Sequence, residues 1–322
     1  MDYYKGKEVL IIGGTGSLGK TLLKMLKRDH RPRGIRVFSR DENKQWELGV
    51  EMREQGYGMN RVATLLGDVR DYDRLRRAFQ GVDIVIHCAA QKHVPSCEEN
   101  PMEAIKTNIQ GAANVVEAAL DAGVKKVVFI STDKAVYPVN LYGCTKAVAE
   151  KVILDANVYR GSNYRTKFCV MRYGNVLGSR GSIIPLFRAL EACGKPIPIT
   201  DERMTRFFIR LPEVGKFILD RIPEIETGQI LLPKMKGVKI VDLARMVVPG
   251  ARLETVGIRP GEKLHECLIS EEESRWRLED RGTHFVIHNT NRPENPDARA
   301  YTSEQAAQEN TLQAADIENL YI

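Results

Sequence analysis

The chain has 322 residues, of which 43% are hydrophobic and 28% charged, with a net charge of +6; this is the composition of a globular protein with one large or two interlocked domains and excludes a disordered one. No apolar run approaches the ~20 residues that span a bilayer, and the N-terminus leads straight into a strand, so the expectation is a cytoplasmic protein with no membrane partner. The basic residues are scattered among acids without a basic run or interleaved aromatics, a pattern that argues against nucleic acid and fits an anionic small substrate.

In chain order, the sequence predicts a strand at Glu8 to Ile12, a helix from Ser17 to about Asp29, a strand at Ile35 to Phe38 and a helix to about Tyr57. Strand Val62 to Leu66, a helix around Tyr72 to Phe79 and strand Ile84 to His87 follow, then a helix from about Pro101 to Ala122 and strand Val127 to Ile130. Short β-branched runs alternating with longer helical patterns signal an α/β fold, a Rossmann doubly wound parallel sheet. After Val170-Met171-Arg172 the rhythm loosens, with Gly178, Gly181, Pro185, Pro196 and Pro198 marking loops. The expected organisation is a dinucleotide-binding domain over 1–175, its sheet completed by later segments, a smaller interleaved substrate-binding domain over 176–288, and a polar C-terminal tail over 289–322 that packs on the surface or on a neighbouring subunit.

The loop Gly13-Gly14-Thr15-Gly16-Ser17-Leu18-Gly19 follows the first strand and opens the first helix. Gly13 permits the tight turn, Gly16 lets the backbone approach a pyrophosphate and Gly19 lets helix and strand pack closely, while the helix N-terminus offers amide donors to the anion. Thr15, Ser17 and Leu18 complete this expected cofactor cradle; the alternative is merely a tight βα turn. An NAD site calls for an acidic residue at the end of the second strand, whereas a 2′-phosphate calls for basic and hydroxyl partners. Ser39 and Arg40 end that strand and Lys44 lies one turn into the next helix, so NADP is expected over NAD, with Asp41 read as the cap of that helix.

Chemistry concentrates at Ser131-Thr132-Asp133-Lys134-Ala135 and at Tyr142-Gly143-Cys144-Thr145-Lys146. Tyr142 and Lys146, four apart in a helix start, share a face, and an ammonium beside a phenol makes the phenolate cheaper to form. The preceding apolar strand delivers Thr132, Asp133 and Lys134 to the carboxyl end of a parallel sheet, where open α/β folds place ligands. An ordinary ion pair or a strand-end cap is the alternative for Asp133 and Lys134. The six cysteines contain no Cys-x-x-Cys pair and are read as reduced thiols, with no metal site; Cys144 is read as a small packing residue.

The Gly-x-x-Gly-x-x-Gly spacing together with Thr132, Tyr142 and Lys146 resembles the extended short-chain dehydrogenase/reductase superfamily over nearly the whole chain. Ala89-Ala90-Gln91-Lys92-His93-Val94-Pro95, Ser131 to Ala135, Asn140-Leu141-Tyr142-Gly143, Arg172-Tyr173-Gly174-Asn175-Val176, Met204-Thr205-Arg206-Phe207-Phe208 and Arg259-Pro260-Gly261-Glu262-Lys263 resemble the UDP-N-acetylglucosamine 4,6-dehydratases. With tyrosine in Tyr-x-x-x-Lys, the likeness is to the inverting type that opens pseudaminic acid synthesis. In such proteins Asp68 and Val69 hold adenine, with a helix N-cap as the plainer role for Asp68, and Ala89 and Ala90 belong to the cofactor contacts.

The resemblance implies a redox-neutral reaction: hydride leaves sugar carbon 4 for NADP⁺, water leaves across carbons 5 and 6, and the hydride returns to carbon 6. Tyr142, as phenolate, would take the proton of the 4-hydroxyl, with Thr132 bonded to that oxygen and Lys146 holding the cofactor ribose. Lys134 would remove the carbon-5 proton as a neutral amine, its pKa depressed by burial and neighbouring positive charge, and Asp133 would protonate the departing hydroxyl, its pKa raised. Arg206 and Arg259 would bind the diphosphate, Glu262 the ribose, and Asn175 the substrate nearby; a surface salt bridge is the alternative for Arg259 and Glu262. Lys92 is read as binding substrate or solvating the surface, and His93 as a packed loop residue. The family implies a homo-oligomer, a dimer or hexamer. The competing readings are a retaining 4,6-dehydratase, a nucleotide-sugar 4-epimerase, which needs no acid and base at Asp133 and Lys134, and a non-catalytic NADP-sensing regulator.

Overall fold

The computed structural model describes residues 2–159, 165–178, 183–275, 277–288 and 298–318. Two units interleave along the chain: 1–131, 145–171 and 215–231 form the first, and 132–144, 172–214 and 232–322 the second. The expected boundary at 175/176 is therefore replaced by five crossings, because segments far along the chain complete the first unit and a short early segment belongs to the second.

The first unit is a parallel sheet. Its strands are β1 (Glu8–Ile12), β2 (Gly34–Ser39), β3 (Val62–Leu66), β4 (Ile84–His87), β5 (Lys126–Ile130) and β6 (Lys167–Met171), with strand Gln229–Pro233 beside β6. The order from that last strand is β6, β5, β4, β1, β2, β3, so the sheet reverses direction of growth between β1 and β4. Ligands of doubly wound sheets bind at such a reversal. Central strands are apolar runs because both faces are covered, and β5 is buried at every position; β3, at the sheet edge, is mostly exposed.

Helices α1 (Ser17–Asp29), α2 (Glu42–Glu54) and α3 (Tyr72–Phe79) start and stop close to where the sequence predicts. Leu18, Leu22, Leu23 and Leu26 of α1 face the core at helical spacing. Asp41 caps α2 through the Lys44 amide and Asp71 caps α3 through the Arg74 amide. Ahead of Pro101 lies α4 (Val94–Glu99), and the single helix expected from Pro101 to Ala122 is instead α5 (Pro101–Ile105), a π-helical turn Lys106–Gln110, and α6 (Gly111–Asp121). The buried Asn108 accounts for the turn: its amide bonds the N–H and carbonyl of Gln91 at 2.8 and 2.9 Å and Thr145 Oγ1 at 2.9 Å.

The second unit contains three small sheets and a hairpin. Strand Thr205–Arg210 lies between Asn175–Leu177, parallel to it, and Lys236–Lys239, antiparallel. Ile197–Ile199 pairs with Leu253–Thr255, and Cys267–Ile269 with Tyr301–Thr302. Phe187, Ile197, Met204, Phe208, Leu243, Leu312 and Ile317 share its core. Residues 298–318 are thus an integral part of this unit rather than a surface tail: Tyr301–Thr302 adds a strand and Leu312 and Ile317 fill the core. Pro185 and Pro198, expected in loops, lie in helix Ile183–Ala192 and strand Ile197–Ile199; Pro185 stands in the first helical turn, where no N–H is needed. Gly181 lies outside the described residues.

Candidate active site

In the first unit the expected cofactor residues gather at the carboxyl ends of adjacent strands. Gly13, Asp68 and Ala89 follow β1, β3 and β4, Ser39 closes β2, and the Gly13 amide donates to the Phe38 carbonyl at 2.8 Å. Gly13 has φ +79, and a Cβ there would stand 2.7 Å from the Ala89 nitrogen, so glycine is dictated by the fold itself. Gly16 differs. Its backbone, φ −75 and ψ 168, suits any residue, and a Cβ would meet only the Gly13 carbonyl, at 3.3 Å. Helix α1 has neither an acid in its first turn nor a side-chain cap, so its amides and the bare Gly16 backbone form a cradle that fits a dinucleotide pyrophosphate. Thr15 and Leu18 are buried beside it and Ser17 is half-buried.

At the second strand Arg40 is exposed, Asp41 is bound by both the amide and the amine of Lys44 (3.0 and 2.9 Å), and the Ser39 hydroxyl accepts from Gln45. Asp68 does not cap α3. It receives the Arg70 amide at 3.0 Å and the Arg70 guanidinium at 2.7 Å, while the buried Val69 gives its carbonyl to Asn114. Ala89 and Ala90 are half-buried; Lys92 and His93 are exposed, so His93 is not the packed residue expected. It sits at the N-cap of α4, with no side-chain cap bond, and Pro95 stands in the first turn of that helix.

Lys146 lies on α7 (Leu141–Tyr159), four residues beyond Tyr142 on the same helix face. Its amine is buried, donates to the Ile130 carbonyl at 2.6 Å and stands 3.7 Å from the centre of the Phe129 ring. Burial, outweighing the carboxylate of Glu150 and the thiol of Cys88, lowers its pKa to about 7. Cys144, expected to pack, is exposed on this helix, and the described cysteines are free. Among the described residues no group of three or more His, Cys, Asp or Glu is placed to hold a metal ion.

In the second unit Thr132, Asp133, Lys134 and Asn175 come together. Asp133 is fully buried; its Oδ1 accepts from Thr132 Oγ1 and from Lys134 Nζ, both at 3.0 Å, while its Oδ2 is buried with no hydrogen-bond partner among the described residues. Lys134 Nζ also donates to Asn175 Oδ1 at 3.3 Å. Burial, opposed by Lys134 and reinforced by Glu266, holds the Asp133 carboxyl above the ordinary aspartate range. Lys134 moves opposite to expectation: burial would lower it, but the carboxylates of Asp133 and Glu266 prevail over Arg206 and raise its pKa.

Glu266 was not anticipated. It is buried, with Lys134, Lys263 and Arg206 around its carboxylate at 3.5, 3.1 and 3.9 Å. Its only sequence signal is the i,i+3 spacing from Lys263. Arg206, expected on the diphosphate, is instead a strut: Nη1 donates to the Thr205 and Leu264 carbonyls and Nη2 to that of Lys263, at 2.7, 3.1 and 3.0 Å. Arg259 and Glu262 form the i,i+3 ion pair given above as their alternative, with Arg259 largely exposed. Asn140 Nδ2 donates to the Gly261 carbonyl at 2.8 Å, tying this loop to the start of α7.

Residues 9–288 match the family model described as polysaccharide biosynthesis protein. A UDP-N-acetylglucosamine 4,6-dehydratase (inverting) of Campylobacter jejuni subsp. jejuni serotype O:23/36 (strain 81-176) is 49% identical over 277 residues, 86% of this chain and 81% of that one. A protein named UDP-glucose 4-epimerase from Rickettsia canadensis (strain McKiel) is 41% identical over 288 residues, 87% and 82% of the two chains. The X-ray structure of Pen from Bacillus thuringiensis superimposes with a TM-score of 0.88 at 36% identity, covering 99% of this chain and 97% of that chain. A glycine cradle at the reversal of a doubly wound sheet, a Tyr-x-x-x-Lys helix and these likenesses agree, and the chain belongs to the polysaccharide biosynthesis protein family, built on the extended short-chain dehydrogenase/reductase fold.

Proposed function

We propose that the protein is an NADP-dependent UDP-N-acetylglucosamine 4,6-dehydratase of the inverting type, acting in pseudaminic acid synthesis. The observation that carries this reading is the buried Asp133 paired with the half-buried Lys134, with one carboxylate oxygen left without a partner among the described residues, just after β5. An epimerase has no elimination step and no use for such a pair. The 49% identity to a dehydratase of this name supports the same assignment.

A nicotinamide dinucleotide held by Gly13, Thr15, Gly16, Ser17, Leu18 and Gly19 supplies the hydride acceptor for sugar carbon 4 and the donor for carbon 6. Arg40, Lys44 and the Ser39 hydroxyl favour a 2′-phosphate, since Asp41 is engaged as a helix cap. Asp68, Val69, Ala89 and Ala90 line the remainder. Tyr142 takes the proton of the 4-hydroxyl while Thr132 bonds its oxygen, and Lys146 holds the ribose and favours the phenolate. Lys134, once neutral, takes the carbon-5 proton. Asp133, whose carboxyl burial holds above the ordinary aspartate range, gives a proton to the leaving 6-hydroxyl once it has received one. Arg259, Glu262, Asn175 and Lys92 bind the UDP-sugar.

Incubation with UDP-N-acetylglucosamine and NADP⁺ in deuterated water, followed by mass spectrometry and proton NMR, tests this. Loss of water with deuterium at carbon 5 and an L-arabino 4-keto product is expected. A galacto isomer of unchanged mass would establish the 4-epimerase instead, the second reading, which the Rickettsia relative favours; deuterium at carbon 5 with retained configuration would establish a retaining dehydratase.

A further inference from the structure

A lysine that is to take a proton from carbon must first be neutral, yet Lys134 stands between two carboxylates, Oδ1 of Asp133 at 3.0 Å and Oε1 of Glu266 at 3.5 Å. The other groups facing it are the Arg206 guanidinium and the Asn175 amide oxygen, the latter at 3.3 Å. Glu266 is held in place from both sides. Its carboxylate pairs with Lys263 at 3.1 Å and approaches Arg206 at 3.9 Å. Its main chain is clasped by Ser303, whose hydroxyl accepts the Glu266 N–H at 2.9 Å and whose N–H donates to the Glu266 carbonyl at 2.8 Å.

We propose that Glu266 is a positioning residue that sets the charge state of Lys134: ionised and steadied by Lys263 and Arg206, it holds Lys134 as the ammonium, so that one proton passed from Nζ to the Asp133 carboxylate creates the base and the acid of the elimination together. In that transfer an N–H bond breaks, an O–H bond forms, and the electron pair stays on Nζ. Burial favours the neutral pair, since two charges vanish from a dry site. Glu266 favours the ionic pair, and its two cationic partners moderate that preference. The inference rests on the roles given above to Asp133 and Lys134.

Competitive acetylation of the full-length chain with acetic anhydride, from neutral to strongly alkaline pH and read by mass spectrometry on Lys134, reports where this amine loses its proton without requiring turnover. Glu266→Gln is expected to lower the midpoint by about one pH unit, a roughly tenfold rise in free amine at a given pH, and Lys263→Met to raise it. Glu266→Asp, which keeps the charge, returns it toward the wild-type value. The rising limb of carbon-5 deuterium incorporation from UDP-N-acetylglucosamine shifts in the same directions. If Glu266→Gln does not fold, the opposite shift in Lys263→Met still decides. An unchanged midpoint in the folded variants, or a shift of the same sign in both, overturns the proposal. Shifts as expected in a protein that does not turn over this sugar would overturn the dehydratase assignment and leave the charge control by Glu266 standing.

Discussion

The amine of Lys134 lies 3.0 Å from one carboxylate oxygen of Asp133, its neighbour in sequence, and the other oxygen of that carboxylate is buried with no hydrogen-bond partner among the described residues. Two adjacent residues thereby point at each other across a 3₁₀ turn instead of into solvent. Lys134→Ala and Asp133→Asn are each expected to slow loss of water by about 10²- to 10⁴-fold, the usual contribution of a positioned acid or base. Dinucleotide affinity should stay within about twofold. Product NMR and a fluorescence titration with NADPH check both halves; equal loss of dinucleotide binding in the two variants would make the pair structural.

Gly13 and Gly16 separate folding from binding. Gly13→Ala places a methyl 2.7 Å from the Ala89 nitrogen at a positive φ and should cost about 2 kcal/mol or more of stability, measured by urea unfolding. Gly16→Val keeps an allowed backbone and should unfold close to wild type, yet lose dinucleotide binding. A Gly16→Val protein that binds the dinucleotide normally would remove the cradle from the site.

The Lys146 pKa of about 7 against an ordinary 10.5 sets a sign for stability. Between these values the unfolded chain binds more protons than the folded one, so this lysine's contribution to stability rises with pH and is complete above about 10.5. Unfolding free energies of wild type relative to Lys146→Met, taken without dinucleotide, should therefore climb across that window by at most about 1.4 kcal/mol per pH unit. A flat difference would place the amine in a wetter environment.

Arg206 and Arg259 are expected to answer differently to removal. Arg206→Met abandons three carbonyls and a buried carboxylate and should cost about 3 kcal/mol or more of stability. Arg259→Ala breaks an exposed pair worth at most about 1 kcal/mol. Its effect should fall on UDP-sugar affinity, raising KM about tenfold with stability unchanged. Calorimetric unfolding and steady-state kinetics distinguish the two.

The first unit was legible because its strands are apolar on both faces and its helices carry their own caps. Val62–Leu66 and Ile84–His87 need only neighbours in sequence to be recognised, and Asp41 and Asp71 mark where helices begin. The π-helical turn at Lys106–Gln110 was not, since it depends on Asn108 meeting Gln91 and Thr145. In the site, Thr132, Asp133 and Lys134 could be read from their position after β5. Glu266 could not, because its partners Lys134 and Arg206 reach it only through folding. The same holds for Arg206, whose sequence offers a cation and whose structure commits that cation to backbone carbonyls. The direction of the Lys134 pKa was missed because the carboxylates beside it, Asp133 first and Glu266 second, outweigh its burial.

Residues 298–318 lie beyond the family match, which ends at 288, yet Ser303 fixes Glu266 and its hydroxyl meets that of Thr205 at 2.7 Å. During synthesis all seven parallel strands of the large sheet are present once Pro233 has left the ribosome. The acid–base cluster has to wait for Ser303, and the core beneath it for Leu312 and Ile317. A nascent chain can therefore form the glycine turn after β1 while the cluster of Asp133, Lys134 and Glu266 is unfinished, and a chain truncated before Ser303 carries that turn without the residue that clasps Glu266.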